Sequence, residues 1–161
     1  MNFINNKIKE DFNLNGYAAI YSFYNEEKIL EIKNELNRYI RDIVPTLPNY
    51  HVFYEDKSDK TTVKNLQQMF NYDDYFKKLI NESAIQEVAT FLLQEKAIPK
   101  NLQYFNKPAG VGKPTPPHQD GYYFMLKKHN AVTCWLALEK VDEENGCIHY
   151  VKGSHLKEEY R

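Results

Sequence analysis

Apolar residues recur at helical spacing in the first hundred residues and predict three amphipathic helices. The longest pattern starts after the capping residue Asn25, ends at Pro45, and comprises Ile29, Ile32, Leu36, Ile40 and Ile43. A shorter helix is predicted over Tyr72–Ile80. A third helix is predicted after Ser83, which has capping-box spacing to Gln86, and ends before Pro99. One face of each helix should therefore cover a core.

Extended patterns replace the helical ones from about residue 100. Apolar and β-branched runs predict strands at Asn101–Asn106, Tyr122–Leu126, Ala131–Leu138 and Cys147–Val151, with an acidic turn over Val141–Gly146. Earlier in the chain, a turn over Asp11–Gly16 and a short strand over Tyr17–Phe23 are predicted. Residues 45–65 carry no periodicity and are expected to form a long polar loop. Helices followed by turn-linked strands indicate an α+β fold with antiparallel pairing.

Length and charge narrow the class of protein. The chain has 161 residues, which fits one domain over 1–161, helical over about 1–99 and extended over about 100–161. Its net charge is -1, with basic and acidic residues interspersed, so nothing indicates nucleic acid or an anionic membrane as a partner. These features favour a small-molecule partner. The first twenty residues contain no continuous apolar run, which predicts a cytoplasmic protein. Cys134 and Cys147 are expected to be free, buried thiols.

Two side chains that bind metals stand two positions apart in the segment Thr115–Phe124. Positions i and i+2 of an extended segment face the same way, so His118 and Asp120 should project together while Gln119 points to the other side. Pro116 and Pro117 favour extended backbone before them. One imidazole and one carboxylate supply two of the three ligands in the 2-His-1-carboxylate site of non-haem Fe(II) oxygenases.

Other interpretations of the same residues remain open at this point. His118 and Asp120 could simply pair with each other on a non-catalytic β-sandwich that binds a ligand or partner through Tyr122, Tyr123 and Phe124. A hydrolytic zinc site is less favoured, because no His-Glu-x-x-His spacing is present. His149 and His155 are candidate substitute ligands, but strand and turn roles suit them better. His51 and His129 fit solvated loops.

Five separated blocks, in this order, resemble the phytanoyl-CoA dioxygenase family: Leu102–Pro108, His118–Gly121, Thr133–Leu138, Asn145–Cys147 and Gly153–His155. Phe12, Gly16 and Tyr17 also resemble the opening of that family. The resemblance implies a double-stranded β-helix, a cupin-like jelly roll with the helices packed on one side. It implies an Fe(II)- and 2-oxoglutarate-dependent dioxygenase that hydroxylates a small organic substrate with O2 and releases succinate and CO2.

The resemblance also assigns residues. His118 and Asp120 would be the first two iron ligands and the catalytic pair. Residues that would line the cosubstrate or substrate pocket are Gln103, Asn106, Thr133 and Trp135. A core or sheet-edge role suits Gln103, Thr133 and Trp135 equally well. Halogenating relatives replace the aspartate by a small residue, so Asp120 favours hydroxylation.

The family pattern is incomplete in this chain. The third iron ligand and the arginine that anchors 2-oxoglutarate are expected beyond Arg161, as are the last strands of the jelly roll. The interpretation is therefore a C-terminally truncated domain, inactive alone, whose incomplete sheet favours self-association. A naturally inactive protein and a site completed by other groups are the alternatives, and the substrate is not indicated.

Overall fold

Helices precede and flank one small antiparallel sheet. The computed structural model describes residues 4–124 and 130–157. Its α-helices are α1 (Asn6–Asn15), α2 (Glu26–Arg38), α3 (Asp74–Asn81), α4 (Ala84–Leu93) and α5 (Asp120–Phe124). Its strands are β1 (Val52–Tyr54), β2 (Val63–Leu66) and β3 (Tyr104–Phe105), hydrogen-bonded in the order β1-β2-β3. The mixed helix and strand content confirms the α+β class, while the jelly roll itself remains a prediction.

The predicted helix after Asn25 is confirmed as α2. The Asn25 side chain accepts a hydrogen bond from the Lys28 amide at 2.9 Å, and Glu26 and Glu27 occupy the first turn, where the helix dipole favours negative charge. Beyond Arg38 the helix continues as a π-helical turn over Tyr39–Ile43 and a 3-10 turn over Val44–Thr46. Pro45 lies in that last turn, and the chain becomes extended at Leu47.

The chain before α2 differs from the prediction. Residues 11–15 belong to α1 rather than to a turn, because Asn5 caps that helix through the Ile8 amide and it ends only at Gly16, with φ of +84°. No strand forms over Tyr17–Phe23. The described residues offer that segment no ladder partner, and Tyr17 instead stacks on Tyr150 with 5.1 Å between ring centroids.

The predicted loop over residues 45–65 is also wrong, because it contains β1 and most of β2. Val52 pairs with Leu66, and Asn65 pairs with Phe105, which makes β2 the central strand. Val63, Asn65 and Leu66 are buried on it. The strands are three and four residues long and are separated by a charged loop, so their pattern is short and easily hidden in the sequence.

The core lies between the end of α2, the sheet and α3. Tyr39 and Leu66 are completely buried, and the Tyr39 ring meets Phe76 edge-on with centroids 5.3 Å apart. Other buried members of this cluster are Leu36, Val44, Leu47, Val52, Val63 and Met69. The predicted helices at residues 72–80 and after Ser83 are present as α3 and α4, although the Ser83 side chain makes no capping hydrogen bond.

Predictions for the later part of the chain are mostly wrong in detail. β3 confirms a strand within Asn101–Asn106, and Gly146, at φ of +85°, confirms the acidic turn. Residues 120–124 are helical rather than extended, and described residues 130–157 contain no strand where Ala131–Leu138 and Cys147–Val151 predicted two. Without a hydrogen-bonded neighbour in the described residues, β propensity alone does not make a strand. Residues 125 and 126 of the predicted Tyr122–Leu126 strand, His129 and Arg161 lie outside the described residues.

Two further observations bear on the class of protein. Cys134 and Cys147 are free, as expected, but Cys134 is exposed and Cys147 is only partly covered, so the prediction of buried thiols is wrong. None of the described helices is long and apolar enough to cross a membrane.

Candidate metal centre

The side chains of His118 and Asp120 face each other. His118 Nε2 lies 3.3 Å from Asp120 Oδ1, and each side chain keeps about two fifths of its surface exposed, 39% and 42%. His118 is the last residue but one before α5, and Asp120 is the first residue of that helix. The structure thus brings together the pair that the sequence singles out, although through the start of a helix rather than through a strand.

His118 is held from its other ring nitrogen. Nδ1 lies 2.8 Å from the carbonyl oxygen of Pro116, and because a carbonyl only accepts, Nδ1 carries the hydrogen. In the neutral ring, Nε2 then presents its lone pair towards Asp120, which is the tautomer a metal ligand needs. Tyr123 meets the imidazole edge-on at 5.6 Å between centroids and limits how the ring can turn.

Asp120 is held by a residue thirteen positions later in the chain. The Thr133 hydroxyl donates to Asp120 Oδ2 at 2.6 Å. That length is typical of a hydroxyl bonded to a charged carboxylate. The two carboxylate oxygens therefore have different surroundings, with Oδ2 taken by Thr133 and Oδ1 facing His118.

This donor pair fits a divalent transition metal as two of its ligands. Two ligand atoms about 2.1 Å from one cation, in neighbouring octahedral positions, lie about 3 Å apart. The 3.3 Å between Nε2 and Oδ1 is close to that spacing. Among the described residues, no group of three His, Cys, Asp or Glu side chains converges on one point, so the third ligand is not found there.

Neither proposed substitute histidine points to this pair. His155 Nε2 lies 3.0 Å from the carbonyl oxygen of Asn13, at the end of α1. His149 Nε2 lies 3.5 Å from Cys147 Sγ. These contacts agree with the structural roles expected for the two histidines.

The Gln119 side chain points away from His118 and Asp120 and bonds their segment to the turn at residues 153–155. Its amide Nε2 donates to the Ser154 carbonyl at 3.0 Å, while the Gly153 amide donates to the Asn15 carbonyl at 2.8 Å. The 153–155 turn therefore connects the end of α1 with the segment that carries His118 and Asp120.

Three of the predicted pocket residues cluster instead around β2 and β3. Gln103 Oε1 accepts from the Asn65 amide at 3.2 Å, and Asn106 Nδ2 donates to the Val63 carbonyl at 3.0 Å. Trp135 is half-exposed and contacts Phe105, with ring centroids 5.3 Å apart. The structure gives them sheet-edge contacts and does not bring them into contact with His118.

Asn65 and Tyr150 are the residues near these groups that sequence reasoning missed. Asn65 is 95% buried, and its amide also donates to the Tyr104 carbonyl at 3.0 Å, which fixes the β2-β3 edge. The available signal was a polar residue between Lys64 and Leu66 in a segment whose strand pattern is short. Burial raises the pKa of Tyr150, and the negative charges of Asp120 and then Cys134 raise it further.

Comparison with known proteins identifies the family. The family model described as phytanoyl-CoA dioxygenase matches residues 12–161, which include every residue of the candidate centre. The chain is 27% identical to mouse peroxisomal phytanoyl-CoA dioxygenase, over 88% of this chain and 44% of that protein. It is 25% identical to the bovine peroxisomal enzyme, with the same two coverages.

A plant relative gives a similar result. Phytanoyl-CoA dioxygenase of Arabidopsis thaliana is 24% identical over 89% of this chain and 62% of its own length. The chain thus spans about half the length of the curated relatives it matches. Since the family model covers nearly all of its residues, the chain belongs to the phytanoyl-CoA dioxygenase family.

Proposed function

We propose that this chain carries two iron ligands of a non-haem Fe(II)- and 2-oxoglutarate-dependent dioxygenase. The enzyme would hydroxylate a small organic substrate with O2 and release succinate and CO2. One observation supports the proposal most directly: His118 Nε2 and Asp120 Oδ1 face each other at 3.3 Å. Both residues lie in a segment that the family model matches. The location we predict is the cytoplasm, whereas the bovine and mouse relatives are named as peroxisomal.

The residues of this chain would do the following. His118 and Asp120 would hold the iron, with the Pro116 carbonyl fixing the imidazole tautomer and the Thr133 hydroxyl fixing one carboxylate oxygen. Bound Fe(II) with 2-oxoglutarate would supply the oxidising chemistry that cleaves an unactivated C–H bond. Tyr123 would cover one edge of His118 and keep water from that side.

The pocket residues are proposed with a less direct role. Gln103 and Asn106 are already bonded to β2, so we infer that they shape the sheet edge against which a cosubstrate or substrate would lie. Trp135, half-exposed on Phe105, offers an apolar face to an organic substrate. We propose no residue for the third iron ligand or for the arginine that would anchor 2-oxoglutarate.

A ligand-binding module without catalysis is the second candidate. It is favoured by Tyr123, whose side chain is 64% exposed beside a histidine and carboxylate that already pair with each other. Such a module would not need a metal. Metal binding therefore separates the two functions.

The test is an anaerobic titration of the chain with Fe(II), followed by 2-oxoglutarate. We expect saturable Fe(II) binding by calorimetry. A visible absorption band once both are present would show that 2-oxoglutarate also binds the metal. His118→Ala and Asp120→Ala should lose the Fe(II) binding. His51→Ala is the matched control, because that histidine bonds to Tyr72 away from the candidate centre.

The outcomes differ clearly. Fe(II) binding that His118→Ala and Asp120→Ala both retain would exclude this pair as ligands. A chain that binds no Fe(II) but still binds a small organic ligand would support the module instead. Fe(II) binding without the absorption band would support the two ligands and place the 2-oxoglutarate contacts outside them.

A further inference from the structure

We propose that Thr133 is a positioning residue that restricts Asp120 to binding the metal through one oxygen. The inference rests on the proposed function, since it concerns the same carboxylate. It differs from a direct pocket-lining role for Thr133, because the hydroxyl is already engaged by Asp120 at 2.6 Å. The experiment therefore measures the affinity for the metal and its coordination number.

Each oxygen of the Asp120 carboxylate has its own partner. Oδ2 accepts from the Thr133 hydroxyl at 2.6 Å, and Oδ1 lies 3.3 Å from His118 Nε2. An ionised carboxylate can only accept hydrogen bonds, so the Thr133 oxygen is the donor. Rotating Oδ2 towards a metal on the His118 side would break this bond and leave the hydroxyl to find another acceptor.

The restriction matters because an octahedral metal has six positions. Three protein ligands and a two-oxygen cosubstrate would occupy five of them if the carboxylate uses one oxygen. A carboxylate that chelates with both oxygens takes the sixth position as well. Thr133 would thus keep one position vacant for the oxidant.

The bond also joins two distant parts of the chain. Asp120 begins α5, whereas Thr133 lies in the segment that leads to Trp135 and the Phe105 contact. Under this proposal, a change at Thr133 acts on the metal through Asp120. The role of the hydroxyl can therefore be tested by substitutions at Thr133 that keep the side chain close to its original size.

The experiment compares Thr133→Val, which has the same shape without the hydroxyl, with Thr133→Ser, which restores it. Thr115→Val is the matched control. It makes the same chemical change at an exposed residue five positions from Asp120. Mn(II) and Co(II) alone are the probes. Affinity is measured by calorimetry and by quenching of Trp135, the single tryptophan. Coordination number is measured from the visible spectrum of bound Co(II), and circular dichroism checks folding.

We expect Thr133→Val to weaken Mn(II) binding by roughly tenfold or more and to alter the Co(II) spectrum. Thr133→Ser should restore both, and Thr115→Val should change neither. Parent-like affinity and spectrum in Thr133→Val overturn the inference while leaving the iron proposal intact. A parent chain that binds neither metal overturns both. If Thr133→Val does not fold, a spectrum in Thr133→Ser that differs from the parent still overturns the inference.

Discussion

Arg38 and Asp73 join the end of α2 to the start of α3, with Nη2 of the guanidinium 2.7 Å from Oδ2 of the carboxylate. The other carboxylate oxygen of Asp73 accepts from the amides of Tyr75 and Phe76 and caps α3. The hydrogen bonds that Arg38 donates to Asp73 and then to Glu35 raise the pKa of Arg38 above its ordinary value. The buried carboxylate of Asp73 thus caps α3 and also binds Arg38 at the end of α2.

Asp73→Ala should lower the free energy of unfolding by about 2 kcal/mol, because it removes a helix cap and the Arg38 contact together. Asp73→Asn keeps an oxygen for the cap and should cost about 1 kcal/mol. Urea unfolding followed by circular dichroism measures both. Asp74→Asn, next in sequence and exposed, is the control and should change stability by a few tenths of a kcal/mol. Equal losses for Asp73→Asn and Asp74→Asn would contradict the double role of Asp73.

Tyr39→Phe should stabilise the chain. Tyr39 is fully buried, and its hydroxyl has no hydrogen-bond partner among the described residues. Removing this hydroxyl should gain about 1 kcal/mol, since an unpaired polar group costs free energy in a core. Tyr72→Phe is the control, because the Tyr72 hydroxyl lies 2.9 Å from His51 Nδ1 and should not give a gain. A loss of stability in Tyr39→Phe would indicate a partner for that hydroxyl.

Gly16→Ala should destabilise the chain more than Gly110→Ala. Both glycines have positive φ, +84° and +77°, so both substitutions carry the same backbone strain of about 1 kcal/mol. At Gly16 the new methyl group would also lie 2.5 Å from His155 Nδ1, whereas at Gly110 it would meet open space. We expect a total near 2 kcal/mol at Gly16, measured by urea unfolding. Equal costs at the two positions would show that His155 does not pack there.

Glu55 should contribute to the fall in unfolding free energy at acidic pH. Its side chain is 4% exposed and lies 2.9 Å from Lys64 Nζ, and the hydrogen bond from Lys64 lowers the pKa of Glu55 below its ordinary value. A carboxylate whose pKa is lower in the folded state stabilises folding above about pH 4.5 and loses that contribution as pH falls through the folded value. Glu55→Gln should therefore flatten the dependence of unfolding free energy on pH below about 4.5. A Glu55→Gln curve parallel to the parent would contradict this pairing.

Helices were predictable because their signals are local. The α2 pattern runs through several turns with Asn25 at its start, and tertiary packing only had to agree with it. β1 and β2 were missed because they are short, and because their pairing is set by Val52 meeting Leu66 across a charged loop. The strands predicted after residue 120 failed for the opposite reason, since apolar runs formed no ladder in the described residues.

The candidate centre shows the same limit. Spacing was enough to predict that His118 and Asp120 would face each other, and that Gln119 would point elsewhere, although the local backbone is not a strand. The bond from Thr133 to Asp120 could not be derived, because it depends on how a segment thirteen residues later returns to α5. Tertiary contacts of this kind leave no periodic trace in the sequence.

The contact of His155 with Asn13 has a consequence for the order of synthesis. The two residues are 142 positions apart, and α1 buries none of its own residues. At 5–20 residues per second, roughly 7 to 28 s pass between the emergence of one partner and the other. During that interval the last turn of α1 lacks its histidine neighbour. Although α1 precedes the other described helices, its last turn is secured only after residue 155 has been made.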